Sequence, residues 1–481
     1  MERKKPNLLK NAVLNTIKSC CSIIFPMIVF PYVSRVLTPD GYGRITFGST
    51  IMTVIATIAA LGVSEYAVRE GAKKRSDKAE LSAIASEVFT INILSTIAAF
   101  LVFALILVFW PGIAGYRVLI SIQVSYVIFY TLGTEWLNAI HEDYRILTIR
   151  YIVFHTLSII CTFLFVKDSG DVIIYATITV LASIIPSILN IFYIRKEYGI
   201  KINFAKPARF KKHIKPIMIL FASSAAALIY VNTDIIILKL FENEFEVGLY
   251  GEAAKIYTLV KHVLQAFLYV AIPKVSNDLA NGRKEEAQKQ LNSVLRALIT
   301  LALPACAGMF VLSRNIILIA GGKEYAGAES SLAILAVTLI FSTISCFYNY
   351  VVLVPLGKEK FTMIATSVSA LLNIILNFIL IPVMGRDAAA LTTLLSEVVM
   401  VIFGIIFTRK DLKFNIWRSL LAGILSAAGV VATYLVLRMF SINYILEAVI
   451  CIVVSVALYV LIMYIINRDE LNGILKMVKK K

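Results

Sequence analysis

The sequence predicts an all-α polytopic membrane protein with about fourteen transmembrane helices. Three observations predict it. Of 481 residues, 59% are hydrophobic and only 16% charged, with a mean hydropathy of +0.83. A soluble domain carries about 25% charged residues, and no water-facing fold of this length needs so much apolar surface. The charges sit in short clusters between long apolar runs. Those runs repeatedly reach the ~20 residues that a helix needs to cross hydrocarbon.

Taken in order, the expected spans are 12–36, 44–66, 81–110, 117–140, 147–166, 172–196 and 214–239. They continue as 246–272, 290–312, 327–355, 361–383, 387–408, 416–437 and 443–466. The basic residues 1–10 precede an apolar stretch that runs on to about Leu37 without an A-x-A site, which predicts a first span rather than a cleaved signal. Pro26, Pro31, Pro186 and Pro304 fall inside spans and are expected to bend them. Cys20, Cys21, Cys161, Cys306, Cys346 and Cys451 all lie in apolar runs with no CxxC pair, so they are read as free core thiols.

Lys and Arg in the connections set the orientation. With the N-terminus inside, the inner segments hold about 35 of them and the outer loops about 9. Both termini are therefore expected on the cytoplasmic side of the cell membrane. The net charge of +17 belongs to this asymmetry and not to nucleic-acid binding.

The largest inner cluster, 195–215, also reads as a seam. Tyr42-Gly43 opens the second span and Tyr250-Gly251 the eighth, a lag of about 208 residues that also brings the third span near the ninth. Internal repeats of this kind are common in transporters. The expected divisions are 1–200, 201–410 and, outside the repeat, 411–481 with two further helices and a basic tail.

Charges inside spans are costly, about 2.5–3.5 kcal/mol each on insertion scales, and default to functional candidates. Asn11, Asn15, Lys18 and Ser22 share one face of the first helix. Thr46, Thr50, Thr53, Thr57 and Ser64 form a stripe on the second, and Thr362, Thr366, Ser369, Asn373 and Asn377 one on the eleventh. Such stripes suit helices lining a wet cavity; for any single Ser or Thr the plainer reading is a hydroxyl bonded to its own helix or a neighbour. Lys255 and His262 share a face of the eighth span, while Lys261 points about 120° away from Lys255. Lys18 and Lys255 are the expected cavity cations, with Lys261, Asn15 and Asn373 as secondary candidates. Asp234 and Glu397 are the acids placed to hold a coupling proton or sodium ion, or to act as counter-ions. Glu87, near a helix end, is expected to be an interfacial anchor.

No G-x-x-x-x-G-K-[ST] loop occurs: Gly357-Lys358 and Gly322-Lys323 are each followed by Glu. No metal-ligand spacing appears, and no long loop could house a catalytic site. A transporter without a cofactor is therefore expected rather than an enzyme.

Several short motifs together resemble one family. The run Phe30-Pro31-Tyr32-Val33-Ser34-Arg35-Val36-Leu37, then Pro39 and Tyr42-Gly43, is similar to the start of Wzx-type oligosaccharide flippases, in the MATE-like MOP superfamily. So are Leu61-Gly62, Glu65-Tyr66 and Arg69-Glu70. In the second half, Asp234, Glu246-Val247-Gly248, Tyr250, Pro355-Leu356-Gly357-Lys358-Glu359-Lys360 and Leu372-Asn373 to Asn377 also fit. The resemblance spans nearly the whole chain. It implies two pseudo-symmetric six-helix lobes around a central cavity, plus two C-terminal helices. It further implies that undecaprenyl-diphosphate-linked oligosaccharide repeat units move from the inner to the outer leaflet for surface polysaccharide biosynthesis. The implied partners are that lipid-linked oligosaccharide, the bilayer, and a polysaccharide polymerase and glycosyltransferases. An ion-coupled exporter of cationic small molecules would want acids in the cavity, whereas Lys18 and Lys255 are cations. A non-transporting scaffold for polysaccharide assembly would not need polar stripes.

Overall fold

The computed structural model describes residues 8–409 and 412–468. Within them the chain is helical, without a β-strand. The principal helices are α1 (Leu8–Ala60), α2 (Val63–Ala72), α3 (Lys78–Phe109), α4 (Arg117–Gly133), α5 (Trp136–Ile140), α6 (Tyr144–Phe165), α7 (Val172–Tyr198) and α8 (Pro207–Phe241). They continue as α9 (Glu244–Ala280), α10 (Lys284–Val311), α11 (Ser313–Ala320), α12 (Glu329–Cys346), α13 (Glu359–Met384), α14 (Arg386–Thr408), α15 (Trp417–Arg438) and α16 (Tyr444–Ile466).

Twelve of the described helical segments are long and apolar enough to cross a membrane, and the bent pair Arg209–Ala226 and Leu228–Phe241, which turns by 46°, makes a thirteenth. The first of the twelve, Thr16–Ala72, runs for 57 residues. At 1.5 Å per residue that is about 85 Å, far more than a ~30 Å hydrocarbon core. It turns at Thr38 (φ 59°, ψ 170°). A residue before proline is pushed out of the helical region, and Pro39 then starts the next helix without needing its missing N–H. Counted as two spans, this segment brings the total to about fourteen.

The expected second span ran to 66, but α1 ends at Ala60. Leu61 (φ 48°) and Gly62 (φ 74°) take left-handed conformations and start α2 in a new direction. The breaks that set off α2 and α5 were not expected, α5 lying inside the expected span 117–140, and α11 follows the end of the expected ninth span.

The chain divides into two compact units between Asn232 and Thr233, within α8. In the first unit α1 packs on α3, α4 and α6, and α7 packs on α4 and α6. One core joins Tyr66, Leu81, Val88, Trp136, Tyr198, Phe210 and Ile217, so the chain after α7 folds back over α2 and α3. In the second unit α12 packs on α9, α10 and α14, α13 packs on α14, and α15 joins α10 to α16. Its core includes Leu268, Leu295, Phe347 and Val351. Phe347–Leu353 follows α12 as a π-helical turn.

Leu101, Val383, Ile465 and many other large apolar side chains are exposed along the spans. Water would penalise that surface by about 25 cal/mol per Å²; lipid does not. Along α16 only 11% of the span is buried inside the protein. All six thiols are free, but only Cys451 is fully buried and Cys20 is exposed, so the core-thiol reading holds for one. The span positions were readable because hydropathy has the length of a helix; which face of a span meets protein is set by packing.

Candidate functional site

The second unit gathers two acid-centred clusters along α14. Asp234, on the last turns of α8, is 5% exposed. Asn377 of α13 donates from Nδ2 to Asp234 Oδ1 at 2.6 Å. Tyr250 of α9 donates to Oδ2 at 2.9 Å, and Thr393 Oγ1 of α14 lies 2.7 Å from the same oxygen. The second proton of Asn377 Nδ2 meets Asn373 Oδ1 at 3.0 Å, and Thr392 donates to Asn377 Oδ1 at 2.5 Å. Four helices thus converge on one carboxylate. Asp234 and Asn373 were singled out separately from sequence, and the fold joins them through Asn377.

The helical spacing explains the convergence. Asn373 and Asn377 are four apart on α13 and share a face. Thr392 and Thr393 face α13 and α8 from the first turns of α14. A buried carboxylate needs such donors, since an uncompensated charge in a low-dielectric interior costs several kcal/mol. Asp234, Asn373, Asn377 and Thr393 each carry a side-chain oxygen of the kind that hard cations prefer, but as placed Asn377 turns its NH2 to Asp234.

One turn further along α14, Glu397 is 3% exposed and pairs with Lys261 of α9 at 3.1 Å. Ser345, at the end of α12, donates to Glu397 Oε2 at 2.5 Å. Lys261 Nζ also lies 5.5 Å from the ring centre of Tyr257, one turn back on α9. Lys261 and Glu397, both named from sequence, are therefore partners of each other. Next to this pair the π-helical turn begins, and Tyr348 within it packs on Gly404, where a Cβ would stand 2.6 Å from the ring. π-turns often mark functional positions.

The other two lysines are placed differently. Lys255 is half-buried on α9, without a carboxylate partner among the described residues. Lys18, in the first unit, is half-buried on α1, its Nζ 5.8 Å from the ring centre of Tyr151 on α6. It too has no carboxylate partner among the described residues. Tyr151 stacks on His155 at 3.9 Å. The Asn15 side chain lies outside the described residues. His262 is exposed.

The threonine stripe on the second half of α1 resolves into local bonds. Thr50 donates to Thr46 O, Thr53 to Ser49 O and Thr57 to Thr53 O. The plainer of the two sequence readings holds for these three.

Two polar features of the first unit were missed. Glu87, expected at the interface, is 7% exposed. It accepts from His213 Nε2 at 2.7 Å and pairs with Lys212 at 3.0 Å, while His213 Nδ1 meets Tyr66 Oη at 2.6 Å. Arg150 of α6 is buried with neutral partners: Nη2 donates to Asn190 Oδ1 at 2.6 Å, Nη1 to Pro186 O and Nε to Ile146 O. It stands three residues inside the expected fifth span, so its position could have flagged it.

With this geometry in view, the comparisons are specific. A family model described as "Polysaccharide biosynthesis protein" matches residues 8–277, and one described as MatE matches residues 216–379. A putative O-antigen transporter of Shigella dysenteriae is 23% identical over 399 residues, covering 82% of this chain and 98% of its own. Among solved structures, a lipid II flippase MurJ in an inward closed conformation aligns with a TM-score of 0.74 at 20% identity, covering 95% of this chain and 99% of its own. An inward-facing multidrug resistance MATE family transporter of the MOP superfamily aligns at 0.63 and 14% identity, over 83% and 97%. The fold is that of the MATE-like MOP proteins.

Proposed function

The chain belongs to the polysaccharide biosynthesis protein family, and on that premise we propose that it is a flippase for undecaprenyl-diphosphate-linked oligosaccharide repeat units, moving them from the inner to the outer leaflet of the cell membrane. The observation that carries this reading is a whole-length relative named as a putative O-antigen transporter, together with a helical body that buries the acid-centred polar clusters of Asp234 and Glu397. Membrane-spanning transport is the role, with both termini cytoplasmic.

The chemistry is consistent with this role. The diphosphate and sugars cannot enter hydrocarbon unaided, whereas the polyprenyl tail stays in the bilayer throughout. Lys18 and Lys255 are each a candidate cation for the diphosphate; unlike Lys261, neither has a carboxylate partner among the described residues. Moving two negative charges outward across an inside-negative potential releases about 4–5 kcal/mol per 100 mV. The membrane potential therefore favours export by itself.

Asp234 is the coupling carboxylate. Its cluster takes up a proton, or admits a sodium ion among its oxygens, and either event rearranges bonds from α8, α9, α13 and α14 together. One carboxylate thereby biases the packing of four helices, which is what a transport cycle requires of its coupling site.

The test is cellular. Deleting the gene in a host without a second flippase strands lipid-linked repeat units in the inner leaflet and abolishes surface polysaccharide. Sensitivity to toxic cations with unchanged surface sugar would instead identify a drug exporter.

A further inference from the structure

A cavity of about 620 Å³ opens on the side of the first unit between α4 and α7. Arg117 stands at its mouth. Ser121 and Ser125 follow on α4, Thr177 faces them from α7, and Val180 and Ile184 form the buried floor. From Arg117 to Ser125 is eight residues, so the groove runs about 12 Å along α4.

Four features of the mouth point to a phosphate. Arg117 is exposed and has no hydrogen bond or carboxylate partner among the described residues. Ser121, one turn along the same face, likewise has no hydrogen-bond partner among them, whereas Ser125 and Thr177 donate to Ile122 O and Ile173 O of their own helices. Arg117 is the first residue of α4, and Tyr116 before it offers no side-chain cap to the first turn. A helix N-terminus without a side-chain cap favours an anion. Finally, Trp110 ends α3 and Tyr116 lies in the connecting turn, with Arg44 5.9 Å over the Tyr116 ring. Aromatic and cationic side chains in that arrangement sit at headgroup depth.

We propose that the α4–α7 groove binds one anionic phospholipid of the surrounding bilayer, its phosphate on Arg117 and Ser121 and the upper part of one acyl chain against Val180 and Ile184. The apolar walls set the fit but not the selectivity, because lipid tails are as apolar as the walls they replace. Selectivity comes from the headgroup. A phospholipid with net negative charge gains the full attraction of an unneutralised guanidinium, which matches phosphate oxygens bidentately. A zwitterionic lipid carries its own ammonium beside the phosphate and gains less. A groove of this volume lies in the ~300–1,000 Å³ range of sites for small ligands, which suits part of one acyl chain and not a long polyprenyl chain.

Native mass spectrometry of the purified protein in detergent tests this, with phosphatidylglycerol, phosphatidylcholine and undecaprenyl diphosphate as separate probes. The wild type is expected to retain one phosphatidylglycerol about tenfold more strongly than phosphatidylcholine, the ratio expected for one charge-assisted contact. Arg117→Gln removes that preference, and Arg117→Lys keeps most of it. Ser121→Phe fills the groove and lowers retention of both phospholipids. Because Arg117 is exposed, Arg117→Gln should fold; the lysine variant controls for that. Equal retention of the two phospholipids by the wild type, or an undiminished preference in Arg117→Gln, would overturn the proposal. So would Arg117-dependent displacement of phosphatidylglycerol by undecaprenyl diphosphate at equal concentration, which would make the transported lipid the occupant.

Discussion

Asp234 and Asn377 lie 143 residues apart in the chain, and the Asn377 amide donates to the Asp234 carboxylate at 2.6 Å. The bond ties the last turns of α8 to the last two turns of α13, and Tyr250 and Thr393 close the same carboxylate from α9 and α14. Replacing Asp234 by Asn keeps the shape and removes the charge and the titratable proton. Transport measured at fixed membrane potential should then lose its dependence on the proton or sodium gradient, while the protein still inserts. Thr393→Val should weaken the same dependence by about tenfold or more, since it removes one hydrogen bond to a charged group. Unaltered gradient dependence in Asp234→Asn would remove the cluster from the coupling role.

Lys261 and Glu397 should behave as a buried ion pair. Glu397→Leu alone leaves a buried ammonium without its counter-ion, and loss of one partner of such a pair costs about 3–5 kcal/mol. The same holds for Lys261→Met. The double variant Lys261→Met, Glu397→Leu should recover most of the lost thermal stability, because two apolar groups replace two charges. Thermal unfolding in detergent of the three variants reads this directly. Additive losses would show that the two side chains do not act as a pair.

Gly62 has φ 74°, and a Cβ there would stand 2.9 Å from Leu220 Cβ and 3.0 Å from Phe221 N. The α1–α2 turn therefore sits directly on the first half of α8. Gly62→Ala should destabilise by about 1–3 kcal/mol through backbone strain, with a further loss from crowding Leu220. Protease accessibility of the 199–213 segment should rise in step.

Asp171, in the connection between α6 and α7, accepts from the amides of Lys167 at 2.7 Å and Asp168 at 3.1 Å. Those two donors hold its carboxyl below the usual carboxylate range. A depressed folded-state pKa gives stability that is present above the ordinary carboxylate pKa and is lost as pH falls through the folded value. Asp171→Asn should therefore melt below the wild type at neutral pH, with the gap closing in acid. A gap that stays constant with pH would mean the charge is not what orders the connection.

The spans were legible because membrane helices are written in hydropathy, and the turn at Thr38 was implicit in Pro39. Lys18, Lys255, Lys261, Asp234 and Glu397 stood out because charge inside an apolar run is expensive. Their partners were not legible. Lys261 and Glu397 are separated by 136 residues, and only the packing of α9 on α14 shows that one neutralises the other. Glu87 misled the reading for a similar reason. It lies two to three turns from the start of α3, where an acid ordinarily reaches water, but Asn203 and Ala205 bond to Ser86 and Thr90 of that helix and bring His213 over it. A single helix face carries no record of the segment that will later cover it.

The most direct measurement is the sidedness of the lipid-linked oligosaccharide itself. Purified protein in sealed vesicles, loaded with a labelled undecaprenyl-diphosphate oligosaccharide in one leaflet, should expose the sugar to an impermeant glycosidase or lectin on the opposite side. The rate should rise when the membrane potential favours moving negative charge in that direction, and fall in Lys18→Ala and Lys255→Ala. Exposure no faster than in protein-free vesicles, at any potential or ion gradient, would contradict the account.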